Sequence, residues 1–208
     1  MEPLALIGQP AVVERDASDA AVIATSLADA SAFGEIFDRH FAEIHRYLGR
    51  RVGGGLADEI AAETFVVAFR LRDRYDRRAL DSRPWLFGIA ANLIRRHWRT
   101  ERRRLRAHAR SGADPIWDES SEVERRVDAM AAAPQLAAAL ASLSAGEREV
   151  LLLFAWADLN YEEISAALGI PTGTVRSRLS RARTHVRELM WPSGQVSVDS
   201  ATEGGTHE

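Results

Sequence analysis

The segment RPWLFGIAANLIRRHWRTERRR, residues 83–104, carries the side chains of this sequence that are best suited to binding a polyanion. An arginine guanidinium forms paired hydrogen bonds with phosphate, and an aromatic ring stacks on an unpaired base. Residues 95–110 contain eight arginines and one acid, and such a density of like charge repels itself unless an anion is close by. The segment therefore predicts contact with a nucleic acid.

At 100° per residue, a helix over this segment has two different faces. Leu86, Ile89, Ala90 and Leu93 form an apolar face that is expected to pack against other helices. The opposite face starts with small residues, which would admit a nucleic-acid backbone, and becomes cationic further on. It contains Gly88, Ala91, Asn92, Arg95, Trp98, Arg99 and Arg102.

Base recognition is assigned to one amide and three rings near this face. The amide of Asn92 both donates and accepts hydrogen bonds, as a base edge requires. Trp85, Trp98 and Tyr75 could stack on a base that has left the duplex. The alternative interpretation is structural, namely a solvated arginine face with Trp85 as a core residue.

A second candidate site lies in YEEISAALGIPTGTVRSRLSRARTHVREL, residues 161–189. A short helix, a turn at 169–171 and a longer helix have the proportions of a helix-turn-helix, whose second helix enters the major groove of DNA. On that helix, small hydroxyl residues lie between arginines that could reach phosphates or guanine edges. The alternative is a corner of a helical bundle with exposed arginines. The predicted DNA contacts are Thr172, Thr174, Arg176, Ser177, Arg178, Ser180, Arg181 and Arg183.

Apolar residues recur at helical spacing along the chain and no run alternates as a strand would, so the fold class is predicted to be all-α. The pattern predicts helices over 29–51, 57–71 and from 83 onward, the last capped by Asp81 or Ser82 after a polar loop at 73–81. Further helices are predicted over 135–143, 161–168 and 174–190. Ser144 and Glu147 form an S-x-x-E capping box that opens a helix ending near Trp156.

Composition divides the chain into two small helical domains joined by a flexible acidic linker. The net charge is −3, yet residues 33–110 carry 18 arginines against 10 acids, a basic block that favours a polyanionic partner. Glycine, proline and acids interrupt 107–134, although part of this linker could be helical. The predicted organisation is a partly disordered N-terminal extension (1–28), a first domain (29–106), the linker (107–134), a second domain (135–190) and a disordered tail (191–208).

The sequence does not have the features of a metalloprotein, an enzyme, or a secreted or membrane protein. There is no cysteine, and the six histidines do not have the spacing of metal ligands. No glycine-rich phosphate loop follows a strand, so we predict no catalytic residue, no cofactor and no metal. The N-terminal residues do not resemble a signal peptide and no apolar run is long enough to span a membrane, which predicts a cytoplasmic protein without a membrane partner.

The two domains together resemble the sigma-70 family of bacterial RNA polymerase sigma factors, and within it the short extracytoplasmic-function group. Residues 33–104 are similar to region 2 of that family and residues 135–189 to region 4, with no region 3 domain between them. The matching segments are FGEIFDRHFAEIHRYL, LADEIAAETFVVAFR, RPWLFGIAANLIRRHWR and LSAGEREVLLLFAWADLNYEEISAALGIPTGTVRSRLSRAR.

This resemblance implies a division of labour. Region 2 would bind the clamp of core RNA polymerase and open the minus-ten promoter element, while region 4 would bind the flap and read the minus-thirty-five element. Asn92 and the loop before Pro84 would engage the single non-template strand, with Arg95, Arg99 and Arg102 on its backbone. The clamp contact would fall on Asp58, Glu59, Glu63 and Arg70. The family often has Asp where Arg96 stands and Gln where Ala62 stands.

One alternative function stays open. The second domain also resembles the output domains of helix-turn-helix transcriptional regulators, which bind duplex DNA without being polymerase subunits. Those regulators have no counterpart of residues 33–104, and a gel-shift with and without core polymerase separates the two functions. The family also makes an anti-sigma factor a possible partner.

Overall fold

The computed structural model of the chain describes residues 17–110 and 134–190, and every regular element in these ranges is helical. The predicted all-α class is therefore confirmed. Two short 3₁₀ helices, Ala30–Phe33 and Arg72–Arg74, flank longer elements. The α-helices are α1 (Asp19–Thr25), α2 (Gly34–Val52), α3 (Gly54–Leu71), α4 (Arg83–Arg110), α5 (Pro134–Ser142), α6 (Ala145–Trp156), α7 (Tyr161–Leu168) and α8 (Thr172–Met190).

Some sequence predictions lie outside the described residues. They concern the start of the N-terminal extension (1–16), most of the linker (111–133) and the tail (191–208). None of the helices in the described ranges is both long and apolar enough to cross a membrane.

The first module is a bundle in which α3 packs against both α2 and α4. The chain reverses between α2 and α3 at Gly53, whose φ of +80° lies in the left-handed region that favours glycine. The predicted apolar faces are buried here, including Ile44 and Leu48 of α2 and Leu86 of α4. This core fixes the direction in which α4 presents its other faces.

Helix α1 was not predicted, because residues 1–28 were assigned to an extension that is partly disordered. The side chain of Ser18 accepts a hydrogen bond from the amide of Ala21 at the start of α1. Val22 and Ile23 are fully buried in the core of the first module. A helix of seven residues is too short to show a clear helical period in the sequence.

The second module consists of α5 to α8 and contains the predicted helix-turn-helix. Ser144 and Glu147 form both hydrogen bonds of the predicted capping box. A second box, formed by Asn160 and Glu163, starts α7 and was not predicted. Gly169 ends α7 with a φ of +62°, which a residue with a Cβ adopts only under strain.

The two modules are in contact through α4 and α7 and through a buried ion pair. Arg51 of α2 donates to both carboxylate oxygens of Glu149 of α6, at 2.6 Å and 2.9 Å. The Tyr47 hydroxyl lies 2.6 Å from Arg51 Nη1 and donates to Glu149 at 3.3 Å. We call this contact, which also includes Arg83, Gly88, Ala157 and Ala167, the intermodule interface.

Candidate nucleic-acid interface

The cationic half of the predicted face on α4 is present as one exposed strip. Asn92, Arg95, Arg99 and Arg102 are exposed, and Trp98 is half-buried beside them. The Arg102 side chain donates to the carbonyl of Trp98, one turn back along the helix. An amide and three guanidinium groups therefore share one exposed surface, a combination suited to a single nucleic-acid strand.

The small half of that face is not exposed, which corrects the expectation that a nucleic-acid backbone could approach it in this arrangement. Gly88 and Ala91 are buried, Ala91 completely. A Cβ added to Gly88 would lie 2.4 Å from the carbonyl oxygen of Ala167 in α7. Small side chains allow two helix backbones to approach closely, and here they admit α7 rather than DNA.

Two of the three predicted stacking rings, Tyr75 of the loop before α4 and Trp85 of the first turn of α4, lie against each other. Tyr75 is 6% exposed, and its hydroxyl donates to the carbonyl of Ala79 at 2.6 Å. Its ring lies 5.0 Å from the ring of Trp85, which is half-buried. In this conformation Tyr75 stabilises the loop and has no face free for a base.

The N-terminus of α4 is held by two carboxylates. Of the two predicted caps, Asp81 accepts from the amide of Arg83 at 2.8 Å. Ser82 instead donates both its amide and its hydroxyl to Asp19 of α1, at 2.9 Å and 2.7 Å. The loop that precedes the cationic strip is thus tied to a helix more than sixty residues earlier in the chain.

His40 lies beside Asp19 and is almost fully buried. Its Nε2 is 2.7 Å from Asp19 Oδ2 and its Nδ1 is 2.9 Å from Glu43 Oε1. Burial alone would lower the pKa of His40, but the hydrogen bonds to Asp19 and Glu43 raise it from 6.5 to about 9. Hydrogen bonds from His40 and Ser82 outweigh burial at Asp19 and hold the pKa of its carboxyl far below the usual value.

We expect the first module to lose stability as the pH rises from 6.5 through 9. Because its pKa is raised in the folded state, the charged imidazole of His40 stabilises the folded state. This stabilisation is complete below the pKa of the unfolded state and is lost as the pH rises through the folded pKa. The groups that face the ring are Asp19 of α1 and Glu43 of α2, with Arg39 and Arg83 bound to the same carboxylates. Urea unfolding at pH 6.5, 7.5 and 9 measures the loss; His40→Gln should flatten the profile, and an unchanged slope would contradict this assignment.

The same corner contains the one group of side chains in the described ranges that could gather around a metal ion, Asp19, His40 and Asp81. Asp19 already accepts hydrogen bonds from His40, Arg39 and Ser82. Hydrogen bonding therefore accounts for the buried carboxylate and imidazole without an ion.

Helix α8 presents the predicted recognition residues on one side and buries the other. Val175, Leu179 and Ala182 are buried in the second module. The side away from them offers hydroxyl groups between guanidinium groups, as direct readout in a major groove requires. Arg176, Ser177, Ser180, Arg181 and Arg183 are exposed, and Thr172, Thr174 and Arg178 are half-buried.

The arginines of α8 differ in their protein partners. Arg181 donates to Glu147 of α6 at 2.8 Å, and the Arg183 guanidinium lies 4.5 Å from the centre of the Phe154 ring. The Arg176 guanidinium is 5.8 Å from the centre of the Tyr161 ring, a looser contact. Arg176 has no ion pair among the residues that the structure describes, so it can turn to DNA without breaking one there, whereas Arg181 has to leave Glu147.

The four residues assigned to polymerase binding all lie on α3 and are exposed: Asp58, Glu59, Glu63 and Arg70. The His45 Nε2 lies 2.6 Å from the carboxylate of Asp58. Two exposed apolar side chains, Val66 of α3 and Phe37 of α2, were not predicted. Their exposure could not be read from periodicity, because Phe37 belongs to the apolar pattern of its helix.

Both modules match protein-family models. Residues 36–104 match Sigma-70 region 2, and residues 134–186 match Sigma-70, region 4. The chain is 33% identical over 175 residues to RNA polymerase sigma factor NccH of Alcaligenes xylosoxydans xylosoxydans, covering 79% of this chain and 90% of that protein. It is 32% identical over 175 residues to RNA polymerase sigma factor CarQ of Myxococcus xanthus, covering 82% and 94%. ECF RNA polymerase sigma factor SigC of Mycobacterium tuberculosis is 30% identical and is covered over 89% of its length.

Solved structures with the same fold include two complexes. The structure of CnrH in complex with the cytosolic domain of CnrY has a TM-score of 0.59 at 25% identity, covering 83% of this chain and 96% of that chain. The sigma factor RpoE in complex with the anti-sigma factor NepR from Bartonella quintana has a TM-score of 0.57 at 20% identity, covering 77% and 98%.

Proposed function

This chain belongs to the sigma-70 family of RNA polymerase sigma factors, in its extracytoplasmic-function group, and from that premise we propose which residues carry each of its tasks. Its function is to direct promoter recognition and transcription initiation, with region 2 opening the minus-ten element and region 4 reading the minus-thirty-five element. The observation that carries the residue assignment is that each matched module exposes one cationic helix face. Core polymerase performs the chemistry, and we assign no catalytic residue to this chain.

For the minus-ten element, we assign the exposed strip of α4 to the single non-template strand. Asn92 would bind a base edge, and the guanidinium groups would neutralise the backbone. Trp98 and Trp85 are the half-buried rings nearest to this strip, whereas Tyr75 reaches a base only if its loop rearranges. The assigned set is Tyr75, Trp85, Asn92, Arg95, Trp98, Arg99 and Arg102.

For the minus-thirty-five element, we assign the exposed side of α8 to the major groove of duplex DNA. The hydroxyl groups allow close approach, and the guanidinium groups supply contacts to guanine or phosphate. The assigned set is Thr172, Thr174, Arg176, Ser177, Arg178, Ser180, Arg181 and Arg183.

Core polymerase is a partner of the chain, and we assign the clamp contact to the charged side of α3, namely Asp58, Glu59, Glu63 and Arg70. The flap contact belongs to the second module. Relatives of this fold have been solved with anti-sigma factors, which supports such an inhibitor as a further partner. Because polymerase and chromosome share one compartment, we propose that the chain acts in the cytoplasm, and that the domains are 29–106 and 135–190 with a flexible linker at 107–134.

We propose that the two modules separate when the chain works on a promoter. The two promoter elements lie about 25 base pairs apart, which is about 85 Å at ~3.4 Å per base pair. The intermodule interface holds the two reading helices in one compact body, in which α4 touches α7 directly. The intermodule interface therefore has to open before one chain can place a reading helix on each element.

Run-off transcription with purified core polymerase on a pool of genomic promoter fragments tests the function. The expected result is a set of defined transcript starts that require this chain. A helix-turn-helix regulator would instead shift duplex DNA in a gel without core polymerase and would add no new starts. A chain that fails to associate with core polymerase, or associates without selecting starts, overturns the proposal.

Replacing Asn92 with Ala should impair promoter opening more than closed binding, because its amide is assigned to a base that is accessible only after melting. We expect the loss of this contact to lower the equilibrium constant for promoter opening about tenfold, or by ~1.4 kcal/mol. Permanganate reactivity of unpaired thymines in the holoenzyme complex measures opening, and a filter-binding assay measures closed binding. Thr100→Ala, an exposed substitution outside the strip, is the matched control; normal permanganate reactivity of the Asn92 variant would refute the assignment.

A further inference from the structure

We infer that Asp19 is a positioning residue for promoter opening, because its carboxylate fixes the start of the helix that carries the minus-ten strip. The inference rests on the proposed function of α4. Asp19 lies on α1, outside the stretch that matches the family model of region 2, residues 36–104. Within the described residues its hydrogen bonds go to Arg39, His40 and Ser82, none of which belongs to the strip, so its role would be to hold other groups in place.

Asp19 is 6% exposed and accepts hydrogen bonds through both carboxylate oxygens. Oδ2 accepts from the amide and hydroxyl of Ser82 and from His40, at 2.9 Å, 2.7 Å and 2.7 Å. Oδ1 accepts from Arg39 at 3.0 Å. Four donors on one buried carboxylate define its position tightly, since each direction of movement breaks a charge-assisted bond.

Ser82 transmits this position to α4. It immediately precedes the helix, and its carbonyl accepts from the amide of Leu86 in the first turn, at 3.0 Å. The loop that contains Tyr75 ends at the same residue. A shift of Ser82 would therefore move both the loop and the entry of α4, and with them the geometry of the strip.

The same corner also contacts the second module. Glu43, which binds His40, receives two hydrogen bonds from Arg83, and Arg83 donates to the carbonyl of Ala157 at 2.9 Å. The carboxylate of Asp19 is thus one end of a chain of polar contacts that crosses the N-terminus of α4. Its substitution should disturb α4 locally while leaving the polymerase-binding side of α3 unchanged.

The role of Asp19 can be separated from that of α1 as a packing element. Val22, on the same helix, is fully buried, and its alkyl side chain contributes apolar contact but cannot hydrogen-bond to Ser82. Val22→Ala therefore weakens the packing of α1 and leaves the carboxylate in place. Asp19→Asn keeps the shape of the side chain and removes its charge, and Asp19→Ala removes every acceptor.

The test uses holoenzyme reconstituted from core polymerase and the full chain, on a promoter mapped by run-off transcription. The affinity for a single-stranded oligonucleotide of the non-template minus-ten strand is measured by fluorescence anisotropy, alongside core affinity and thermal denaturation of the free chain. We expect about tenfold weaker oligonucleotide binding for Asp19→Ala, a smaller loss for Asp19→Asn, and unchanged core affinity. Val22→Ala should lower the melting temperature without weakening oligonucleotide binding.

Two results would overturn the inference. In the first, Asp19→Ala binds the oligonucleotide as tightly as the unmodified chain. In the second, Asp19→Ala and Val22→Ala lose affinity equally at equal folded fraction, which makes Asp19 a stabilising residue only. If the unmodified holoenzyme itself selects no promoter, the proposed function fails, and that outcome is recognised before any variant is compared.

Discussion

Replacing Glu149 with Gln should convert the free chain from a closed to an open arrangement of its two modules. Arg51 and Glu149 have side chains only 11% and 9% exposed, so the substitution leaves a buried guanidinium without its counter-charge. Removing one partner of a buried ion pair costs about 3–5 kcal/mol, which corresponds to a shift of more than a hundredfold toward the open arrangement. The chain contains no cysteine, so dyes on Asp38→Cys and Glu188→Cys, both exposed positions, report the distance between modules by energy transfer.

Two further variants control this prediction. The charge swap, Arg51→Glu with Glu149→Arg, should recover part of the closed population, because it restores opposite charges across the same contact. Gly88→Ala should open the chain by a separate route, since the added methyl group would collide with the Ala167 carbonyl. Unchanged energy transfer in both Glu149→Gln and Gly88→Ala would show that the intermodule interface does not determine the arrangement in solution.

Opening should have a functional consequence. A chain that is already open no longer has to break the intermodule interface when it meets polymerase and a promoter, so less binding energy is spent on the conformational change. We therefore expect Glu149→Gln to bind core polymerase, which engages both modules, more tightly than the unmodified chain. If Glu149→Gln is shown to be open and yet binds core polymerase with the same affinity as the unmodified chain, the proposed separation of the modules is contradicted.

Arg176→Ala should weaken recognition of the minus-thirty-five element by about 1–3 kcal/mol if its guanidinium binds a base edge. Arg181→Ala should have a smaller effect, because Arg181 gives up its ion pair with Glu147 before it binds DNA. Holoenzyme affinity for promoters with intact and altered minus-thirty-five sequences measures both. A base contact predicts relaxed specificity, whereas a phosphate contact predicts a uniform loss and a salt dependence reduced by about one charge.

Arg187→Ala is the matched control for these two variants, because Arg187 is exposed on the same helix beyond the assigned set. It should change affinity little and leave sequence preference as it is. If neither Arg176→Ala nor Arg181→Ala alters the footprint over the minus-thirty-five element, the assignment of α8 to the major groove is wrong.

Local features of this protein were predictable because they depend on neighbours in sequence. The capping box of Ser144 and Glu147 joins residues three apart, and the structure forms it as predicted. The buried side of α8 follows from Val175, Leu179 and Ala182 at helical spacing. The cationic strip of α4 was predicted in the same way, since an angle of 100° per residue places Asn92 and the arginines together.

Other features required elements that are distant in sequence. Gly88 and Ala91 were placed on an open face because they lie opposite the apolar side of α4, but α7 covers them. The sequence predicts Tyr75 as a ring for stacking on a base, but in the folded loop the ring is buried. Helix α1 was not predicted, because seven residues are too few to show a helical period. Its role becomes visible only through the hydrogen bonds of Asp19 with His40 and Ser82, which are distant in sequence.

By itself, the sequence determined seven of the eight α-helices of the described ranges, the capping box of Ser144 and Glu147, and the two cationic faces, since hydrophobic period and charge placement act within a few turns of chain. Only the tertiary structure decided which small surface is covered, which carboxylate holds the start of α4, and that Arg51 meets a partner 98 residues away. The physical reason is that periodicity specifies that a face will be buried but not against what. Contacts between distant segments arise from the shapes and charges that the folded elements bring together.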